Sequence, residues 1–199
     1  MATTTIDIER MLPATLTFPD MSEQEFLDLC GRFPDATLEY EPDGTLLIMP
    51  PTDPESGMRS VAIVRQLANW SEQTGKGLVL GPDAGFFFPN GARRSPDASW
   101  CDEKRWREVL AHAKGSRFPR FAPEFVIELR SPDDRLPVLN SKMREYMANG
   151  VQLAWQIDPQ NRTVTVYRAG SEPTTLSNPT EVIGEGPVAG FVLSMAKVF

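Results

Sequence analysis

Asp97 closes the segment Arg94-Ser95-Pro96-Asp97, and 31 residues later the apolar run Phe125-Val126-Ile127 is interrupted by Glu128-Leu129-Arg130. Two carboxylates and a guanidinium within stretches that otherwise read as buried strand are costly without a partner, and a divalent metal is one such partner. In an extended strand alternate residues share a face, so Val126, Glu128 and Arg130 point one way and Ile127 and Leu129 the other. With the Asp97 strand as its neighbour, Asp97 and Glu128 converge on one Mg²⁺, and the backbone carbonyl of Leu129 offers a further oxygen. Such an ion lowers the pKa of a bound water and neutralises charge developing on a phosphoryl oxygen, while a nearby cation orients that water. Metal-dependent hydrolysis of a phosphodiester is the chemistry these residue types suit.

Other side chains could join them. Lys142 and Tyr146 are four apart and share one helix face, on a helix that begins just past the loop leaving Glu128 and Arg130. A lysine there can reach back to the sheet end. Glu39 interrupts Leu38-Glu39-Tyr40 and is a candidate third acid. Each residue also has a plain alternative. Glu128 and Arg130 can be an i,i+2 ion pair on a sheet face, Asp97 a turn residue after proline, Lys142 a solvated helix lysine and Glu39 an outward strand residue.

Positioning these groups requires strands beside helices. Ser22-Glu23-Gln24-Glu25 has capping-box spacing and predicts a short helix ending near Gly31. Residues 36–41 and 45–49 read as a hairpin turned by Pro42-Asp43-Gly44. Asp53 followed by Pro54 opens a long amphipathic helix that Gly75 stops. Strand-like runs follow at 77–80, 85–88 and 98–101, then a helix over 102–113. The run 125–129 suits the middle of a sheet covered on both faces, residues 136–149 have helical spacing, and 153–157 and 163–167 are two further strands. A Pro/Gly/Ser-rich tail with short strand-like pieces ends the chain. The expected fold is α/β or α+β, with a central mixed β-sheet flanked by helices, as one domain over 1–199 in which 1–20 is an extended N-terminal arm.

Composition narrows the function classes. The chain has no apolar run near the roughly 18 residues of a membrane span and no signal-peptide pattern over Met1 to Arg10, so a cytoplasmic location without membrane partners is expected. Cys30 and Cys101 have no Cys or His neighbours at metal spacing, which argues for reduced thiols and against zinc. His112 is the single histidine, so a catalytic triad or His-rich metal site lacks its parts. Gly75, Gly77, Gly81 and Gly85 form no phosphate-cradling fingerprint. The net charge of −7 is adverse for a nucleic-acid enzyme, since Lys and Arg drive phosphate binding. Residues 93–120 carry a local basic excess, which is either a phosphate-facing surface or a solvated helix face. Phe86-Phe87-Phe88 suits core and interface, a candidate surface for a homodimer.

Pro96-Asp97, Glu128-Leu129-Arg130 and Lys142 with Tyr146 resemble the PD-(D/E)XK nuclease signature and its helical Q/K-x-x-x-Y element. Asp43-Gly44, Ile48-Met49-Pro50-Pro51-Thr52, Arg94 to Trp100, Glu128 to Pro132 and Gly150 to Pro159 together resemble the Uma family of restriction-endonuclease-like proteins, over roughly Met21 to Phe199. That resemblance implies a restriction-endonuclease-like core and a Mg²⁺-dependent endonuclease acting on DNA, with Mn²⁺ as substitute. By it, Asp97 and Glu128 are metal ligands, Glu39 is the early acid, and the signature's lysine position holds Arg130. An arginine stays protonated and cannot act as general base, so Lys142 is the candidate replacement, with Arg130 left to contact phosphate or support Glu128. The rival reading is a catalytically inactive nuclease-fold module that binds nucleic acid or protein, favoured by the net charge and the lysine missing from position 130.

Overall fold

A computed structural model describes residues 12–112, 118 and 120–199. Local sequence signals set its helix boundaries. In α1 (Glu23–Arg32) the Ser22 side chain accepts from the Glu25 amide while the Glu25 carboxylate accepts from the Ser22 amide, a complete capping box. In α2 (Pro54–Thr74) Asp53 accepts from the amides of Glu55 and Ser56, and Gly75 ends the helix at φ +62. Two further α-helices among the described residues are α3 (Glu103–His112) and α4 (Leu136–Ala148).

The strands divide between two main sheets. β1 (Ala14–Thr17), β2 (Thr37–Tyr40), β3 (Thr45–Met49), β5 (Phe86–Phe87) and β6 (Arg93–Arg94) form an antiparallel sheet in the order β1-β3-β2-β6-β5. β4 (Leu78–Leu80), β7 (Ala98–Cys101), β8 (Phe125–Leu129), β9 (Leu153–Asp158), β10 (Thr163–Arg168) and β11 (Thr174–Ser177) form the second, in the order β11-β10-β9-β8-β7-β4. Its β8 and β9 run parallel, linked through α4, and its other pairs are antiparallel, so it is the mixed sheet expected. A small pair, β12 (Glu181–Ile183) and β13 (Val192–Ser194), follows.

β8 is buried along its whole length, as its unbroken apolar character requires. On one face Phe125, Ile127 and Leu129 pack with Trp155 against Ile63, Leu67 and Trp70 of α2 and the C-terminal Phe191 and Val198. On the other, Val126 packs with Ala154 and Tyr167 against Met143 and Tyr146 of α4. The mixed sheet therefore lies between α2 and α4, while α1 closes the first sheet through Phe26 against Leu38, Tyr40 and Phe87. No helix among the described residues is long and apolar enough to cross a membrane.

Three expectations need adjustment. The strands read at 77–80 and 85–88 are consecutive in the chain but belong to different sheets. Of the N-terminal arm expected over residues 1–20, residues 1–11 lie outside the described residues and Ala14–Thr17 form β1, paired along its length with β3. Phe86, Phe87 and Phe88 are all buried, each in a different apolar cluster, so their rings offer no dimer surface.

Candidate active site

β7 and β8 pair through Ala98 and Ile127, and one further step along that register sets Asp97 opposite Glu128. Directly opposed residues of an antiparallel pair share a face. Here it is the face of Val126, which looks at α4. The half-buried Asp97 accepts the Leu129 amide through Oδ2 at 2.7 Å, closing the ladder with a side chain. Glu128 is 5% exposed and is held from α4: Oε1 accepts from the Tyr146 hydroxyl at 2.6 Å, and Lys142 Nζ stands 2.9 Å from Oε1 and 3.0 Å from Oε2. The four-residue helical spacing of Lys142 and Tyr146 thus converges on one carboxylate.

The first sheet contributes the rest. Its β2 delivers Glu39, 1% exposed, whose Oε1 lies 2.9 Å from Lys142 Nζ and accepts the Ser95 amide at 2.9 Å. Arg94 of β6, 3% exposed, pairs with Glu39 at 3.2 Å, with Glu145 of α4 at 2.6 Å and with Glu41 at 3.3 Å. Lys142 and Arg94 therefore alternate with carboxylates across the junction of both sheets and α4. Among the clustered charges Asp97, Glu128, Glu39, Glu145 and Glu41 outnumber these two cations.

That imbalance displaces proton affinities. Burial pushes the Asp97 carboxyl up to about 6, against the lowering pull of the Leu129 amide. Burial, with the charges of Asp97 and Glu39 added, pushes Glu128 up to about 8 although Lys142 works against the shift. Glu39 is buried too, yet Lys142, Arg94 and the Ser95 amide outweigh burial and hold it below the usual carboxylate range. Lys142 is likewise desolvated, and Glu128 and Glu39 hold it firmly in the ammonium form. Burial raises the Tyr146 phenol well above its ordinary value, so it is a hydrogen-bond donor to Glu128 and not an anion.

Arg130 takes a different path from the one its alternation suggests. Its guanidinium reaches sideways to Asp158 at the end of β9, at 2.8 Å, and to the carbonyl of Asp134, while its amide donates to the Ile157 carbonyl at 2.8 Å. Asp158 is itself fixed by Asn161. Arg130 is thus a clamp across the ends of β8 and β9, and neither the i,i+2 pair with Glu128 nor an open guanidinium is what the structure contains.

The basic segment 93–120 also resolves residue by residue. Arg93 is buried between the rings of Phe26, Tyr40 and Phe87, with its Nη2 donating to the Met21 carbonyl at 2.7 Å. Arg105 pairs with Glu124, Arg120 with Glu23, and Lys104 and Arg107 with acids one turn along α3. Lys114 and Arg117 lie outside the described residues. Arg93 and Arg94 are buried in the first sheet, whereas Lys104 and Arg107 lie on an exposed α3 that buries none of its residues, so that stretch is the solvated helix face. His112 is exposed at the end of α3.

Residue typing alone passes over Arg94 and Glu145. The available signals were the position of Arg94 three residues before Asp97 and that of Glu145 three after Lys142, on the same helix face.

Fold and cluster together define a nuclease-like α+β protein with a buried carboxylate and lysine centre. A family model described as "Uma2: Putative restriction endonuclease" matches residues 23–196, and the chain belongs to that family. Among solved structures, a "putative nuclease belonging to DUF820" from Anabaena variabilis ATCC 29413 is similar at a TM-score of 0.74 and 22% identity, over 90% of this chain and 97% of that one. This likeness shows the fold. No match is found among curated proteins.

Proposed function

We propose that the protein is a Mg²⁺-dependent endonuclease that hydrolyses phosphodiester bonds of DNA. The observation carrying this reading is the convergence of Asp97 and Glu128 at the end of β7 and β8, with Lys142 held against Glu128 by Glu39. Among the described residues no three or more Asp, Glu, His or Cys side chains group as a metal cage. Two carboxylates still suit Mg²⁺, a hard cation that keeps several waters, and the raised proton affinities of Asp97 and Glu128 mark a site short of positive charge. Asp97 and Glu128 would hold the ion, with the Leu129 carbonyl as a further oxygen. When bound, it supplies an activated water and charge neutralisation at the scissile phosphate. Glu39 is committed to Lys142, Arg94 and Ser95, which suits it to placing the lysine rather than ligating metal.

In this reading Lys142, permanently an ammonium, donates hydrogen bonds and positive charge toward the reacting centre and accepts no proton. Tyr146 fixes the orientation of Glu128, and Arg94 fixes Glu39. The test is incubation of purified protein with single-stranded, duplex and RNA substrates in Mg²⁺ or Mn²⁺, beside calorimetric titration of the metal. Cleavage of DNA lost in Asp97→Asn is the expected result. Absence of both cleavage and metal binding overturns the reading and leaves the non-catalytic nuclease-fold module.

A further inference from the structure

Between α1 and the first sheet lies a cavity of about 330 Å³ whose walls include none of Asp97, Glu128, Lys142 or Glu39. α1 ends at Arg32, and the Phe33-Pro34 turn carries the chain back into β2, so the end of the helix and the start of the strand both border the space. Phe26, Phe33, Leu38, Phe87 and Phe118 give it apolar walls. Gly31 of α1 also borders it, and a Cβ added there meets nothing within 4 Å.

Arg93 lines the same cavity and is the unusual member of the set. It is 8% exposed, and its Nη2 donates to the Met21 carbonyl at 2.7 Å. The rings of Phe26, Tyr40 and Phe87 lie against it, with centroids 4.8, 4.4 and 5.5 Å from Cζ. Its Nη1 is buried and has no hydrogen-bond partner, and no carboxylate pairs with Arg93 among the described residues. Glu25, whose charge Arg93 feels, is committed to the Ser22 amide and hydroxyl. The neighbouring Arg94 has three carboxylates and Arg93 has none. Ring faces attract a cation but bring no counter-charge, and a guanidinium out of water with a donor unused is costly.

A buried cation lacking its anion, in the wall of a cavity wide enough for a single ring, is complementary to a ligand that brings both parts. An aromatic body suits the phenylalanines and a carboxylate suits the guanidinium. A nucleotide fits less well, since its phosphate carries more negative charge and Arg94, the other cation at the border, is spent on Glu39, Glu41 and Glu145. Asp83 also borders the cavity but is exposed, where solvent screens its repulsion of an anion.

We propose that this cavity is a binding site for a small aromatic carboxylate, its anion on Arg93 and its ring among Phe26, Phe87 and Phe118. Isothermal titration calorimetry of the full chain, in metal-free neutral buffer, compares phenylacetate with phenylacetamide, which has the same ring and nearly the same shape without the charge. Phenylacetate binds one site per chain and at least about tenfold more tightly than the amide, the discrimination that a charge-assisted hydrogen bond supplies. Arg93→Met keeps the bulk and removes the charge, so it weakens phenylacetate at least about tenfold and leaves the amide within about threefold. Gly31→Phe fills the cavity from α1 without touching Arg93 and abolishes binding of both compounds. That position is exposed and its added side chain enters open space, so this variant keeps the fold, verified by circular dichroism, whether or not Arg93→Met does. No saturable binding of phenylacetate, equal affinity for acid and amide, or binding that persists in folded Arg93→Met or in Gly31→Phe overturns the proposal. Nucleic acid and metal are absent from the assay, so its outcome is independent of the nuclease reading.

Discussion

At the scale of single residues, the site brings together carboxylates that destabilise one another when ionised. Asp97 and Glu128 are both harder to ionise in the folded chain than in the unfolded one, up to about 6 and about 8. The stability linked to them is whole below about pH 4 and is lost as pH rises through about 6 and then about 8. Metal-free protein should therefore melt at a lower temperature at pH 8 than at pH 5.5, and Asp97→Asn or Glu128→Gln should raise its stability at pH 8 by roughly 2 kcal/mol while abolishing cleavage. Thermal scans with chelator present decide this, and a melting temperature independent of both substitutions counts against it. The division of labour between cations has its own test. Lys142→Ala should lower single-turnover cleavage by about 10²–10³, the loss typical of a charge-stabilising donor, while Arg130→Ala should lower stability by about 1–3 kcal/mol and leave cleavage within about tenfold. The reverse pattern returns the role to Arg130. Asp97, Glu128, Lys142, Tyr146 and Glu39 were legible because charge inside apolar strands and four-residue helical spacing are local signals. Arg130's partner was not, since Asp158 comes 28 residues later on the neighbouring strand, and alternation gives a direction without naming a partner.

At the scale of elements, local chemistry writes the caps and turns and says little about which strand meets which. The capping box at Ser22, the Asp53-Pro54 start of α2 and the Asp43-Gly44 turn each stand where their residues required. The two-residue β6 gave no periodicity, yet it carries Arg93 and Arg94 and joins β5 to β2. Periodicity likewise could not assign 77–80 and 85–88 to separate sheets, because a strand's pattern encodes its faces and not its neighbours. The turn from α2 into β4 shows how tightly that assignment is then fixed. Gly75 and Gly77 both have positive φ, near +62 and +63, but a Cβ on Gly75 meets open space whereas one on Gly77 falls 2.3 Å from Trp100 and 2.4 Å from the Cys101 carbonyl. Trp100 cannot retreat freely, as its Nε1 donates to the Lys76 carbonyl at 3.0 Å. Gly75→Ala should cost about 1 kcal/mol and Gly77→Ala about 3 kcal/mol or more, by urea denaturation, because only the second adds overpacking to left-handed strain. Equal losses would mean that β4 does not lie against β7 as described.

At the scale of the whole molecule, charge sets the terms on which a nucleic acid is met. An acidic chain with an acid-rich centre repels phosphate at long range, so any nucleic acid that binds it must do so through locally exposed cations. Among the described residues Arg32, Arg65, Lys76, Arg135, Arg144 and Lys197 are exposed and pair with no carboxylate, and Arg135 stands at the start of α4, the helix that carries Lys142. Each phosphate neutralised on a single strand steepens the fall of log affinity with log salt by about 0.7. Engagement of a single strand through Arg135 and about two others therefore predicts a slope of about −2, and Arg135→Gln should flatten it by about 0.7. Anisotropy titrations of a single-stranded oligonucleotide from low to physiological salt measure both quantities. A slope beyond about −4, unchanged by Arg135→Gln, would move the phosphate-binding surface away from the start of α4 to a broader basic footprint.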